Sequence, residues 1–325
     1  MNPPLKERIL SGDTRGVARG ISIAERGGPE AYRLLHELYG EGNSYILGIT
    51  GPPGSGKSSL IDSLIGHFKP HFDKIGVLAV DPSSPFTGGA ILGDRIRMQR
   101  HSGDPKLFIR SMASRGHLGG ISAATRDATT VLKAAGFDLI IVETLGIGQA
   151  EVEIVSVTDT TVLVQVPGLG DDIQVMKSGI MEIGDIFAVN KSDREGAEKL
   201  ARYLQSIIVE NYDSDRHVPP VILTSVKEKS GLDNLTGEIL SHRDYLRENG
   251  LIREKEALRI RRDIEALLEL KVAQLLKREF SFEENIDAWA ELVLSGGETP
   301  FSLVDSIESR LGANSFRYIE TKEIS

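Results

Sequence analysis

Cysteine is absent from this 325-residue chain, which excludes disulfides and thiolate-ligated metal sites. Basic residues are in the minority, 38 Lys and Arg against 47 Asp and Glu, for a formal net charge of −9. That balance gives no footprint for nucleic acid or for an anionic membrane surface. No uninterrupted apolar run approaches the roughly 18 residues of a membrane span. The start, MNPPLKERIL, lacks the apolar stretch of a secretory signal, so the expected compartment is the cytoplasm. Repeats and low-complexity tracts are also missing. With 40% hydrophobic residues, the composition is that of a soluble enzyme, and the length allows one large domain with appendages.

Against these absences stands GPPGSGKS, from Gly51 to Ser58, which satisfies G-x-x-x-x-G-K-[ST]. Its residues Gly51, Pro52, Pro53, Gly54, Ser55 and Gly56 form a loop whose backbone N–H groups turn inward around phosphate oxygens. The helix that follows adds its N-terminal dipole. Lys57 reaches the β and γ phosphates and Ser58 offers a hydroxyl to Mg²⁺. The context fits, because Tyr45 to Thr50 reads as a buried strand, and Leu60, Ile61, Leu64, Ile65 and Phe68 recur at helical spacing after the loop.

A second string, Asn190-Lys191-Ser192-Asp193, follows the apolar run Ile186 to Val189. Its polar groups emerge at a strand's carboxyl end, where open α/β sheets bind ligands. A carboxylate at Asp193 presents two acceptors to the N1–H and N2–H₂ donors of guanine; adenine offers an acceptor at N1 and no amine beside it. GTP and GDP are therefore the expected nucleotides.

Residues Tyr45 to about Ser241 alternate apolar strand runs with amphipathic helices, predicting a doubly wound, mostly parallel sheet. Seven strands are expected: Tyr45 to Thr50, Ile75 to Val80, Leu107 to Met112, Asp138 to Glu143, Thr161 to Val166, Ile186 to Val189 and Val221 to Thr224. The expected organisation is an N-terminal helical extension over 1–42, a P-loop GTPase domain over 43–250 and a C-terminal helical arm over 251–325. In the extension, Gly27-Gly28-Pro29 breaks a helical stretch from Leu5 to Leu38, with Ile21, Ile23, Ala24, Tyr32, Leu34, Leu35 and Leu38 as packing positions. In the arm, a helix from Ile252 to about Glu279 carries the stripe Ile264, Leu268, Val272, Leu275. A further helix is capped by Thr299 and Pro300 and is expected to stop at Gly312. An apolar seam of this kind suits either packing on the chain's own core or a dimer.

Further residues cluster at predicted strand ends. Glu143 closes its strand near a bound metal, with Gly146 placed to meet the γ phosphate, and Gly146, Gly148 and Gln149 form a loop free to move when that phosphate leaves. Asp81 precedes a Pro- and Gly-rich segment and could hold the attacking water or a metal-bound one; Asp94 could join the Mg²⁺ shell. Both also suit ordinary turns. Ser225, Val226 and Lys227 follow the last strand, where backbone N–H groups commonly hold the base and a lysine stem can cover it. Asp171, Gln174 and Lys177 sit beyond the Thr161 strand as a third mobile segment or a solvated helix start. His117, a single imidazole, makes a poor metal site.

The strings Asp81-Pro82-Ser83-Ser84-Pro85-Phe86-Thr87-Gly88-Gly89, Leu92-Gly93-Asp94-Arg95-Ile96-Arg97-Met98, Glu143-Thr144-Leu145-Gly146-Ile147-Gly148-Gln149 and Gly170-Asp171-Asp172-Ile173-Gln174 closely resemble the MeaB/ArgK family of P-loop GTPases. Its members are G-protein chaperones of adenosylcobalamin-dependent methylmalonyl-CoA mutase. The resemblance spans nearly the whole chain. It implies nucleotide contacts from Gly51 through Ser59, with Ser59 beside Ser58, and from Asp193 and Ser225 to Lys227. It further implies metal and switch acids at Asp81, Asp94 and Glu143, a coupling switch from Asp171 to Lys177, a homodimer built through the arm, and an acyl-CoA mutase as partner. Two rivals are a metal-insertion GTPase, which lacks its usual Cys and clustered His here, and a transport-linked ATPase or kinase, which Asp193 opposes.

Overall fold

Every residue of the first strand, β1 (Tyr45–Thr50), is buried, as a parallel strand must be when helices cover both faces of its sheet. The computed structural model of the protein describes residues 3–82, 103–114, 122–144, 153–168, 183–211 and 217–315. The chain divides into two compact units, residues 1–255 and 256–325. In the first, β1 is joined by β2 (Ile75–Pro82), β3 (Leu107–Ser114), β4 (Leu139–Thr144), β5 (Thr160–Gln165), β6 (Ile186–Val189) and β7 (Val221–Leu223). They form a seven-stranded sheet in the order β3-β2-β4-β1-β5-β6-β7. Every pair is parallel. All seven predicted runs are strands, with ends displaced by no more than two residues.

Among the described residues, the α-helices before Leu251 are α1 (Leu5–Leu10), α2 (Thr14–Arg26), α3 (Gly28–Leu38), α4 (Lys57–Phe68), α5 (Ser122–Ala134), α6 (Ala197–Asn211) and α7 (Leu232–Glu248). On one face, Leu60, Ile61 and Leu64 of α4 and Leu235 and Ile239 of α7 pack on Leu47, Ile49 and Ile141 of the sheet. On the other, Ile9, Val17, Ile21, Leu34 and Leu38 of the N-terminal helices join Val131 and Leu132 of α5 over Ile46, Ile140 and Val142. Leu200 and Leu204 of α6 cover Leu163 and Phe187 on the same side. Each such side chain contributes about 1.5–3 kcal/mol on burial, and α4 is thereby fixed with its first turn at the end of β1.

The N-terminal helical stretch breaks at Gly27, as the glycines predict, and also before Thr14, which the sequence reading passed over. There Asp13 caps α2, accepting from Arg15 N at 3.2 Å and Gly16 N at 3.3 Å, while Arg8 Nε donates to the same carboxylate at 2.7 Å. Of the expected packing positions, Ile21, Ile23, Ala24, Leu34 and Leu38 are buried, but Tyr32 is 42% exposed. Arg110 of β3 ties this helical layer to the sheet edge by donating to Glu25 Oε2 at 2.6 Å and Ser22 Oγ at 2.9 Å.

A polar network closes the amino end of the sheet. The Tyr45 hydroxyl donates to Thr160 Oγ1 at 2.5 Å, and Thr160 shares a 2.7 Å hydrogen bond with His242 Nδ1. Asp185 accepts from Thr161 N and lies 3.8 Å from both His242 Nε2 and Lys255 Nζ. Lys255 also donates to the Asp159 carbonyl. The rings of His217 and Tyr245 pack on His242. Burial pushes the His242 imidazole down to about 4; Asp185 opposes this, and Lys255 and His217 add to it. Since the unfolded imidazole keeps its ordinary value near 6.5, the unfolded chain binds a proton between pH 6.5 and 4 that the folded chain refuses. Stability is therefore intact above pH 6.5 and falls as pH drops toward 4, by about 2–3 kcal/mol from this group. Thermal unfolding followed from pH 7 to 4.5 should show a shallower decline for His242→Gln than for the parent; parallel declines would reject the assignment.

The helix α8 (Leu251–Glu279) leads into the second unit, followed by α9 (Phe282–Leu294) and α10 (Pro300–Ser315). The sequence reading did not foresee α9. At α10, Ser302 N donates to Thr299 Oγ1 and Thr299 N to Ser302 Oγ, a reciprocal cap. The expected stop at Gly312 is overturned: the helix continues to Ser315, because one interior glycine costs only about 1 kcal/mol. No described side chain of α8 or α9 is buried, and Ile264, Leu268, Val272 and Leu275 are 45% to 62% exposed. Among the described residues, no helix is long and apolar enough to cross a membrane.

Candidate functional site

The strand order turns at β1, with β4, β2 and β3 running off one side and β5, β6 and β7 off the other. Ligands of open parallel sheets bind at the carboxyl end of such a turning point. Here the chain leaves β1 through Gly51, whose φ of +142° only glycine adopts readily; a Cβ there would lie 2.1 Å from the Val164 carbonyl oxygen of β5. The loop re-enters helix at Lys57 after Gly56, in the left-handed region at φ +87°. The first N–H groups of α4 have no partner within the helix and face the end of the loop.

Lys57 is buried, and its ammonium donates to the carbonyls of Gly51 at 2.7 Å and Pro52 at 3.1 Å. The Ser58 hydroxyl donates to Glu143 Oε1 at 2.6 Å, a buried contact between the first turn of α4 and the end of β4. The adjacent Ser55 hydroxyl is buried with no hydrogen-bond partner among the described residues. A glycine-lined cradle holding a buried lysine and a spare hydroxyl fits an anion; the Ser58 and Glu143 oxygens fit a hard divalent cation such as magnesium.

The second string is tied to the first. Asn190 Nδ2 donates to the Ser55 carbonyl at 2.8 Å, and Lys191 Nζ donates to the Gly54 carbonyl at 2.6 Å. A Cβ on Gly56 would come 2.7 Å from Asn190 Nδ2, so glycine is required for this approach. Lys191 itself takes a positive φ of 57°, a conformation uncommon outside glycine and worth explaining. Its hydrogen bond across to the loop supplies the reason.

Asp193 leads on to the last strand. The Ser225 hydroxyl donates to Asp193 Oδ1 at 2.7 Å, and Lys227 Nζ lies 3.6 Å from Oδ2. The Ser225 hydrogen bond, with smaller help from the local backbone and Lys227, holds the Asp193 carboxyl below its ordinary value. It stands ionised at neutral pH, as an acceptor for two N–H donors must. Ser225 also bridges to Ser230 through the backbone, and Val226 packs against the apolar layer beneath.

The structure thus brings together the residues expected at 51–59, at 190–193 and at 225–227, with Glu143. Asp81 lies in β2 opposite Ala113 of β3; its side chain, and Asp94, Gly146, Gln149, Asp171, Gln174 and Lys177, lie outside what is described. Sequence reading missed the hydroxyl pair Thr50 and Thr144, 2.7 Å apart at the root of the site. Its one signal was a threonine immediately before the phosphate loop and another immediately after the strand-ending acid.

The family model of the methylmalonyl Co-A mutase-associated GTPase MeaB matches residues 17–281. A protein of Pyrococcus abyssi named as a GTPase is 46% identical over 313 residues, covering 93% of this chain and 94% of its own. A fused isobutyryl-CoA mutase of Geobacillus kaustophilus is 39% identical over 210 residues, 61% of this chain and 19% of that protein. Among solved structures, that of a LAO/AO transport system kinase superposes with a TM-score of 0.68 over 95% of this chain and 96% of its own. At 22% identity that likeness shows the fold alone. A family match covering the phosphate loop, the Asn190–Asp193 string and most of the chain carries guanine-nucleotide binding and GTP hydrolysis with it: the chain belongs to the methylmalonyl Co-A mutase-associated GTPase MeaB family.

Proposed function

We propose that this GTPase uses the bound nucleotide to control its grip on an adenosylcobalamin-dependent acyl-CoA mutase, with methylmalonyl-CoA mutase as the favoured partner. The nucleotide half of the reading is carried by one observation, the paired hydrogen bonds from Asn190 and Lys191 to the carbonyls of Ser55 and Gly54. They make base recognition and phosphate binding one rigid site. Lys57 neutralises phosphate charge, Asp193 reads the guanine edge, and Ser225, Val226 and Lys227 border the base. Ser58 and Glu143 would hold Mg²⁺, joined on the resemblance by Asp81 and Asp94. The metal supplies neutralisation of the charge on the β and γ phosphates.

The mutase half is supported by the family's description and by the fused isobutyryl-CoA mutase relative, in which a matching segment and a mutase share one chain. The segments following Glu143 and from Asp171 to Lys177 are the proposed switches: GTP holds them in one arrangement and hydrolysis releases them. A mutase responds only if its affinity differs between the two states. Binding of purified methylmalonyl-CoA mutase should therefore change by about tenfold or more between a non-hydrolysable GTP analogue and GDP, within the usual span of allosteric coupling. Equal affinities would sink the coupling.

The arm over 251–325 is proposed to build a homodimer, since the exposed stripe on α8 calls for a partner surface. A chain ended after Lys255 retains the latch to Asp159 and Asp185 and should be monomeric in light scattering, while the full chain is dimeric. A truncated chain that still dimerises would place the interface elsewhere.

A further inference from the structure

We propose that the hydroxyl pair Thr50 and Thr144 is a positioning couple for hydrolysis, holding the Glu143 end of β4 at a fixed distance from the phosphate loop. This rests on the reading of Lys57, Ser58 and Glu143 given above.

Thr50 is the last residue of β1 and Thr144 the last of β4. Both are fully buried, and Thr144 Oγ1 donates to Thr50 Oγ1 at 2.7 Å across 94 residues of sequence. The two strands are in register at Ile49 and Glu143, so the threonines are the next pair outward. Alternation along a strand puts them on the face opposite Glu143.

The pair closes a ring. Gly51, bonded to Thr50, accepts from Lys57 at 2.7 Å; Ser58, bonded to Lys57, donates to Glu143 at 2.6 Å; and Glu143 is bonded to Thr144. In this ring Gly51 and Glu143 are each one peptide bond from the couple, and Lys57 and Ser58 are one hydrogen bond further on. On one face of the sheet the acid faces Ser58, and on the other the hydroxyls prevent β1 and β4 from shearing apart. The segment after residue 144, with Gly146, starts from this clamped point.

Two valines would fill the same space, and replacing both partners of a buried hydrogen bond by apolar groups of one shape is close to neutral for stability. Packing alone therefore does not call for hydroxyls here. What they add is a directional, short spacing, and catalysis by positioning is sensitive to displacements of an ångström or less.

The test is steady-state GTP hydrolysis by the full-length protein, with GDP-binding stoichiometry counting the folded sites. Thr144→Val should lower kcat about tenfold while KM for GTP stays within about twofold, and Thr144→Ser, which keeps the hydroxyl, should restore kcat. The double variant Thr50→Val with Thr144→Val should be no slower than the worse single variant, the non-additivity of one shared interaction. If Thr144→Val turns over like the parent, or Thr144→Ser is as slow as the valine variant, the couple has no positioning role. Glu143→Gln is measured alongside: slow turnover there with normal turnover in Thr144→Val overturns this proposal alone, whereas unaltered turnover in Glu143→Gln overturns the underlying assignment of the acid.

Discussion

Lys57→Ala should lower GTP turnover by about 10²- to 10³-fold, the usual loss when one charge-stabilising donor is removed from a phosphoryl-transfer or oxyanion site. The lysine is buried, and its ammonium is held by the carbonyls of Gly51 and Pro52 at the start of the phosphate loop. Both acceptors belong to the loop proposed to receive the phosphates, so the ammonium is held at that loop. Alanine removes the charge without disturbing the glycine turns, which are set by Gly51 against Val164 and by Gly56 against Asn190. It also removes a buried charge whose desolvation the fold must bear, so the variant should fold. Phosphate release at saturating GTP reads the effect, with thermal unfolding of parent and variant as the control for an intact fold. Turnover within a few-fold of the parent would take the lysine out of the chemistry.

The parts of the site contiguous in sequence were legible, because strand, glycine loop and helix N-terminus constrain residue types at fixed spacing. Gly51 to Ser58 and Asn190 to Asp193 are such runs, and the structure places both at strand ends. Long-range pairing was not legible. Nothing in the sequence tells that β4 lies beside β1 while β2 and β3 stack outward from it, so Ser58 and Glu143 were readable as sharing one metal but not as direct hydrogen-bond partners. Thr50 with Thr144, and Tyr45 with Thr160 and His242, were invisible for the same reason: an isolated Thr or His gives no periodic signal, and its partner is 82 to 115 residues away. The start of α2 went unread for a different reason. A helical pattern runs through residues 5–38, and the break before Thr14 is marked only by Gly12, at φ +73°, and the Asp13 cap.

The geometry also assigns different tasks to residues that look alike in sequence. Asn190 and Lys191 donate to carbonyls of the phosphate loop, and Asp193 is the residue of that string proposed to read the base. Ser225 is spent on Asp193. On the proposed reading, base discrimination converges on one carboxylate whose orientation is set by a hydroxyl from the next strand end.

Asp193→Asn should therefore exchange the preferred base and leave the phosphate half intact. The carboxylate offers acceptors to both N1–H and the 2-amino group of guanine; the amide retains one acceptor and replaces the other with a donor, which faces the 2-amino donors. GTP affinity should fall by about 100-fold, the scale of losing one bidentate base contact and leaving polar groups opposed. Xanthosine triphosphate carries N1–H and a 2-oxo acceptor, the complement of the amide, and should bind the variant better than GTP by a similar factor. Ser225 can still donate to the amide oxygen, so the side chain keeps its anchor. Because Lys57, Ser58 and the glycine loop are untouched, turnover with saturating xanthosine triphosphate should approach that of the parent with GTP. Competition between the two triphosphates, measured on parent and variant, decides it. An unchanged preference for GTP in the variant would mean that another group reads the base, and the hydrogen bond from Ser225 would then have to be explained as support for the strand end alone.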